Sequence, residues 1–224
     1  MNFTYVIEHM EEDEPNASKS IPPWVELEYK HMRMLAGQNS LVRFAHLSKA
    51  SCDALNNSFN GSGSQKPSHN SALANFVCSQ EGVMELLKTS KVDLQKVCLL
   101  DPKAEAALSP SDGDGRFEWF LFGGILGDDP PRDRTSELRA HGFPGRHLGS
   151  IQMTTDTALG VTKLVVQDKI PLDKIPYVDH PTIRFNAKES VEMPFRYFSD
   201  GREPILPPGM KKLLHEDLNK GFDF

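Results

Sequence analysis

The chain has 224 residues, 38% apolar and 25% charged, with three cysteines and a formal net charge of −6 at pH 7. At about 150 residues per domain this length implies one domain, and a chain of this size buries roughly 70% of the surface its unfolded form exposes, so a core forms without disulfides or metal. Small stapled scaffolds, wholesale disorder, collagen-like repeats and coiled coils are excluded by length and composition together.

Acidic residues outnumber basic ones by 31 to 25, which repels a phosphate backbone and favours a basic protein partner, so direct reading of nucleic acid is not expected. The longest apolar-looking stretch, Trp119 to Leu126, is far short of the ~20 residues a spanning helix needs. The amino end carries Glu8, Glu11, Glu12, Asp13 and Glu14 rather than the positive flank of a secretion signal. Cys52, Cys78 and Cys98 form no C-x-x-C pair and read as small buried hydrophobes in a reducing compartment. A cytoplasmic protein with no membrane contact is expected.

Thr4 to Ile7, β-branched and aromatic, predicts a strand that runs into an acidic, Pro- and Ser-containing loop over Glu11 to Ser20. Pro22 and Pro23 open a helix in which Trp24, Leu27, His31 and Met34/Leu35 recur at helical spacing, with Gly37 just past its end. Leu41 to Phe44 predicts the next strand. Residues 51–71, dominated by Ser, Asn and Gly, predict a flexible insertion without chemistry, after which a helix is expected near Ala72. Val97 to Leu100, stopped by Asp101 and Pro102, is a continuous apolar run suited to a strand buried on both faces. Phe117 to Phe122 is another, ending at Gly123 and Gly124.

Helices are predicted over Arg132 to Ala140 and Thr155 to Lys169. Strands alternating with helices imply an α/β fold with a mainly parallel sheet. A Pro-rich and aromatic tail from residue 175 to 224, closing in a surface helix over Gly209 to Lys220, is expected to wrap a single domain spanning 1–224.

Open parallel sheets bind ligands at the carboxyl ends of their strands, where glycine permits close approach. Two loops fit. Gly123 to Asp128 has the spacing G-G-x-x-G, which matches neither the dinucleotide fingerprint nor the phosphate loop. Leu148 to Ala158 contains Gly149, and its Thr and Asp residues are expected to cap the helix that follows. A tight strand-to-helix turn is the plain alternative for each. The eight histidines show no zinc-binding spacing, so no metal site is expected.

At these loops the sequence resembles the SPOUT methyltransferases, α/β enzymes with a trefoil knot. Leu148 to Ala158 looks like their L-G-x-x-x-L-R-x-E-T-A stretch, and Gly123 to Asp128 falls where they carry a glycine-rich cofactor loop. The resemblance extends to Tyr5 to Glu12, Leu99 to Pro102, Phe122 to Asp128 with Pro130 to Thr135, Gln152 to Ala158, Arg184 to Asn186, Glu192 to Tyr197 and Pro204 to Met210. Over these segments it is similar to the SPOUT-type protein arginine methyltransferases of yeast and other eukaryotes, which act on a small-subunit ribosomal protein. Two departures stand out: Ala140 to His147 is short for the strand expected there, and Met153 and Thr154 replace the superfamily's Leu-Arg pair.

The resemblance implies S-adenosyl-L-methionine as cofactor, held among Leu100, Pro102, Gly123, Gly124, Ile125, Leu126, Gly127, Leu148, Gln152, Met153 and Thr154. It also implies a ribosomal protein substrate, the small ribosomal subunit as a partner, and a monomer. A guanidinium with pKa above ~12 has a delocalised lone pair and five donors, so carboxylates must orient it. Among Glu8, Glu11, Glu12, Asp128, Asp129 and Asp133, the catalytic candidates are Glu8, at the end of the first strand, and Asp128, closing the glycine loop. For Arg132, Asp133 and Arg134 the choice lies between an ion-pair cluster at a helix start and contact with the cofactor carboxylate. The rival functions are a SPOUT RNA methyltransferase and a non-catalytic cofactor-binding ribosome assembly factor.

Overall fold

The computed structural model describes residues 2–9, 21–61, 73–124, 133 and 135–220. Its centre is a six-stranded, entirely parallel sheet. The strands are β1 (Thr4–Glu8), β2 (Leu41–Ala45), β3 (Asn75–Cys78), β4 (Val97–Leu100), β5 (Trp119–Gly123) and β6 (Gly145–Arg146), in spatial order β3-β2-β1-β5-β4-β6. β4 is buried at every residue, as its uninterrupted apolar run requires. β6 has only two residues, because Gly142, Pro144 and Gly145 leave little to pair, and it joins the sheet beside Leu99 and Leu100.

Helices α1 (Pro23–Ala36), α2 (Lys49–Gly61) and α5 (Thr155–Val166) cover one face, where Tyr5, Ile7, Phe44, Phe120 and Phe122 join their apolar sides in the larger core. On the other face α3 (Val83–Ser90) and α4 (Thr135–Ala140) pack on Val6, Val97, Leu99 and Leu121. Aromatic rings carry the larger core outward: Tyr29 stacks on Phe44 at 4.2 Å, and Phe59 meets Phe76 edge-on at 4.9 Å.

Two expectations fail here. Residues 51–61 are not a flexible insertion but most of α2, because Cys52, Leu55 and Phe59 share one buried face among the short polar residues. Residues 62–71 lie outside the described residues. The helix expected near Ala72 is instead β3, which extends the sheet from β2 by pairing Phe76 with Val42. In α1 the expected face is inside in part: His31 is buried and Trp24 and Leu35 pack against the larger core, while Met34 is exposed and Val25, Glu28, Tyr29, Met32 and Ala36 complete the buried side.

After α5 the tail forms two antiparallel pairs, β7 (Tyr177–Asp179) with β10 (Arg196–Phe198) and β8 (Thr182–Arg184) with β9 (Ser190–Glu192), before α6 (Met210–Lys220). Ile175 and Phe198 enter the larger core, and the Arg196 N–H donates to the Gln152 carbonyl at 2.8 Å, tying the tail to the loop before α5.

The end of α5 is fixed by close approach. A Cβ on Gly113, in the turn Pro110–Gly113, would lie 2.2 Å from the Val166 carbonyl oxygen. Backbone blocks it, so Gly113→Ala is expected to cost about 1–3 kcal/mol, read as a lower urea midpoint with an unchanged m-value.

Candidate active site

The continuous strands β4 and β5 end side by side, and a cavity of about 320 Å³ opens at their carboxyl ends. Leu100 and Phe122 form its floor, the loop 148–153 and the residues Thr155 and Ala158 of α5 one wall, and Asp101 to Lys103 with Asp133 and Thr135 the other. The chamber is therefore largely apolar, with charge at one side, and its volume suits a small organic ligand. Gly149 turns the loop at φ +115°, a backbone region that favours glycine.

The charged wall is organised by Asp101, one residue past β4. Its backbone N–H donates to the Arg146 carbonyl at 2.9 Å, which links β4 to β6. Arg139 of α4 grips its carboxylate through Nε at 2.5 Å and Nη2 at 2.7 Å, and the Lys103 N–H donates to it at 2.9 Å. The same arginine reaches Asp133, which also takes Lys103 Nζ at 2.6 Å. For Asp101 burial pushes the pKa up, but the hydrogen bonds from Arg139, Lys103 and Thr135 outweigh it and hold the group below its ordinary value. Asp133 is held well below by the Arg139 and Lys103 hydrogen bonds.

Of the predicted cofactor residues, Leu100, Pro102, Gly123, Leu148, Gln152 and Met153 line this cavity. Gly124 is buried just beyond β5 without lining it. Thr154 is also absent from the wall: its hydroxyl donates to Thr157 Oγ1 at 2.8 Å instead of capping α5. Asp156 likewise makes no cap and takes His31 as its partner. Ile125, Leu126, Gly127 and Asp128 lie outside the described residues. Thr155 and Ala158, one helical turn apart, are wall residues that the motif contained but that were not singled out.

Glu8 does not line the cavity. Its neighbour Ile7 lies in the same core as Phe122, so alternation turns the Glu8 side chain to the opposite face of the sheet. There its Oε2 accepts the Val83 N–H at 3.0 Å and supplies the cap that Gly82 cannot. A Cβ at Gly82 would fall 2.9 Å from Oε1. Burial raises the Glu8 pKa, opposed by the Val83 N–H and by His46. In the Arg132 to Arg134 cluster, Asp133 pairs with Arg139 and Lys103, while Arg132 and Arg134 lie outside the described residues.

The family model for SFM1-like protein arginine N-methyltransferases matches residues 4–221. The chain is 38% identical over 230 residues to protein arginine N-methyltransferase SFM1 of Saccharomyces cerevisiae, covering 98% of this chain and 97% of the yeast protein. It belongs to the SFM1-like family. The crystal structure of the yeast arginine methyltransferase SFM1 complexed with SAM superposes with a TM-score of 0.76 at 35% identity, covering 97% of this chain and 92% of that one. The SAH complex of the yeast enzyme gives 0.73 at 35% identity, with 94% of each chain covered. These similarities span the parallel sheet, the cavity loops and the tail together.

The ion pairs of the cavity's charged wall make a pH-dependent contribution to stability. Carboxylates with depressed folded-state pKa values contribute stability that is present above their unfolded value of about 3.9 and lost as pH falls through the folded values. Arg139→Gln is expected to lose about 1–3 kcal/mol at pH 7, less than a fully buried pair because the arginine is a third exposed. Its deficit relative to the parent should shrink as pH falls from 4 towards 3, measured by urea unfolding.

Proposed function

We propose that this protein transfers a methyl group from S-adenosylmethionine to an arginine side chain of a small-subunit ribosomal protein, working in the cytosol as a monomer. The observation that carries the reading is the 38% identity to a yeast protein arginine N-methyltransferase over 98% of the chain. The cavity supports it independently, since its size and its apolar floor with a polar rim suit an adenosine joined to an amino acid. With this reading goes the SPOUT fold, a trefoil-knotted domain over 1–224 with residues 175–224 as its wrapping tail.

Leu100, Phe122, Leu148, Ile151 and Met153 would enclose the base, while Gln152, Thr155 and the Asp101 to Lys103 corner would meet the polar parts. S-adenosylmethionine supplies a methyl group on a positively charged sulfur. As the nitrogen–carbon bond forms the carbon–sulfur bond breaks, its electron pair stays on sulfur to leave S-adenosylhomocysteine, and the methylated nitrogen gives up one N–H proton to water. The chain's own work is to exclude water, hold the acceptor in line and give its guanidinium an anionic partner. Asp128 keeps its proposed part in orienting that guanidinium, whereas Glu8 is committed to α3.

Incubation with methyl-labelled S-adenosylmethionine and unmethylated small ribosomal subunits should place the label on arginine in a single protein. Label in the RNA, or no label in either fraction, would overturn the acceptor assignment. Ala158→Phe, which fills the cavity from α5, should weaken S-adenosylmethionine binding at least tenfold by calorimetry while the circular-dichroism spectrum stays that of the parent.

A further inference from the structure

The loop 148–153 walls the cavity, yet it is neither strand nor helix, so its shape is set by what grips it. On the sheet side the Gly149 N–H donates to His147 Nδ1 at 3.1 Å. His147 is anchored in turn, its N–H donating to the Ala106 carbonyl at 3.0 Å and its carbonyl accepting the Leu108 N–H at 2.9 Å. On the tail side one residue, Arg196, meets the loop at Gly149, Gln152 and Met153. Its N–H donates to the Gln152 carbonyl at 2.8 Å, it forms a bridge with Met153, and its Nη1 lies 3.9 Å from where a Cβ on Gly149 would stand.

Arg196 is itself held from behind. Asp179, its partner in register across β7 and β10, accepts from Nε at 2.6 Å and from Nη2 at 2.8 Å, and the guanidinium carbon stands 4.8 Å from the centre of the Tyr177 ring. The carboxylate thus takes two nitrogens of the fork and the ring takes its face, leaving Nη1 as the nitrogen beside the loop. Lysine would keep the charge, but it has no planar fork to match a carboxylate and no flat face to lay on a ring. With Asp179 38% and Arg196 20% exposed, the ion pair adds little to the stability of the whole fold. Its effect is local, and the residues it reaches line the cavity.

We infer that Arg196 is a positioning residue for methyl transfer: fixed by Asp179 and Tyr177, it holds the loop 148–153 in its binding shape and thereby sets the affinity of the cavity for S-adenosylmethionine. It does so without lining the cavity itself. A wall that is already in place spares the ligand the cost of ordering it, whereas a loose loop takes that cost out of the binding free energy. The inference rests on the reading of this cavity as the S-adenosylmethionine site and deepens it.

Arg196→Lys keeps the charge and the N–H bonded to Gln152 and removes the fork. It should raise the Kd for S-adenosylmethionine about tenfold by calorimetry, with KM for small ribosomal subunits at saturating cofactor within about twofold of the parent. Asp179→Asn, which frees Arg196 from the side away from the loop, should raise the Kd in the same direction. The double variant should bind no more weakly than Arg196→Lys, because both act through one contact. Amide hydrogen exchange reads the loop without any ligand: residues 149–153 should exchange faster in Arg196→Lys while β4 and β5 keep the parent's protection. Should Arg196→Lys fail to fold, Asp179→Asn carries both readouts. Faster exchange in β4 and β5 as well would mark a merely structural arginine and overturn the inference. An unchanged loop overturns it whatever the Kd does, and so does an unchanged Kd. If the parent labels no arginine, the acceptor reading fails by itself, since cofactor affinity and loop exchange still decide the role of Arg196.

Discussion

The cavity depends on one charged contact, the grip of Arg139 on Asp101. Asp101 is the first residue after a strand buried at every position, so its carboxylate emerges at the sheet's edge with little water to solvate it. Arg139 neutralises it with two hydrogen bonds, and in doing so draws α4 against the end of β4. The Asp101 N–H meanwhile holds the two-residue strand β6, whose own pairing is too short to be secure. One aspartate thereby sets the positions of α4, β6 and the Pro102 to Lys103 corner, which together make one side of the cavity.

Sheet order explains where the cavity lies. The chain runs outward from β1 to β2 and β3, then returns to build β5, β4 and β6 on the other side, so the order reverses between β1 and β5. Open α/β sheets commonly place ligands at such a reversal. Here Glu8 and Gly123 meet at that point, and the Glu8 carboxylate is spent on the start of α3. The cavity sits one strand further on, above β4 and β5, where the loop before α5 returns over the strand ends. Because β10 bonds that loop at Gln152 and its Tyr197 reaches Asp156's surroundings, the tail is part of the site's architecture.

The legible parts of the chain were those in which a local pattern and the tertiary environment agree. Val97 to Leu100 and Trp119 to Phe122 read as buried strands because both of their faces are covered, leaving no polar residue to blur either run. Cys52, Leu55 and Phe59 had the right spacing for a helix, yet the intervening Ser, Asn and Gly carry weak helix propensity, and only packing against the sheet makes α2 form. The motif around Gly149 to Ala158 located the cavity, but it could not tell which threonine faces inward: Thr155 lines the wall while Thr154 turns to Thr157.

From its residues alone the chain specifies a parallel α/β fold, most of the long strands that build it and the loop around Gly149 that walls the cavity, because periodicity and glycine spacing are local properties. The partnership of distant charges is not local. His31 and Asp156 are 125 positions apart, Arg139 and Asp101 are 38, and neither pair leaves any mark in the intervening sequence. Which acid caps a helix, which is neutralised by arginine and which is buried against a histidine is settled when α1, α5 and the tail converge, since burial and neighbouring charge exist only once the chain has folded.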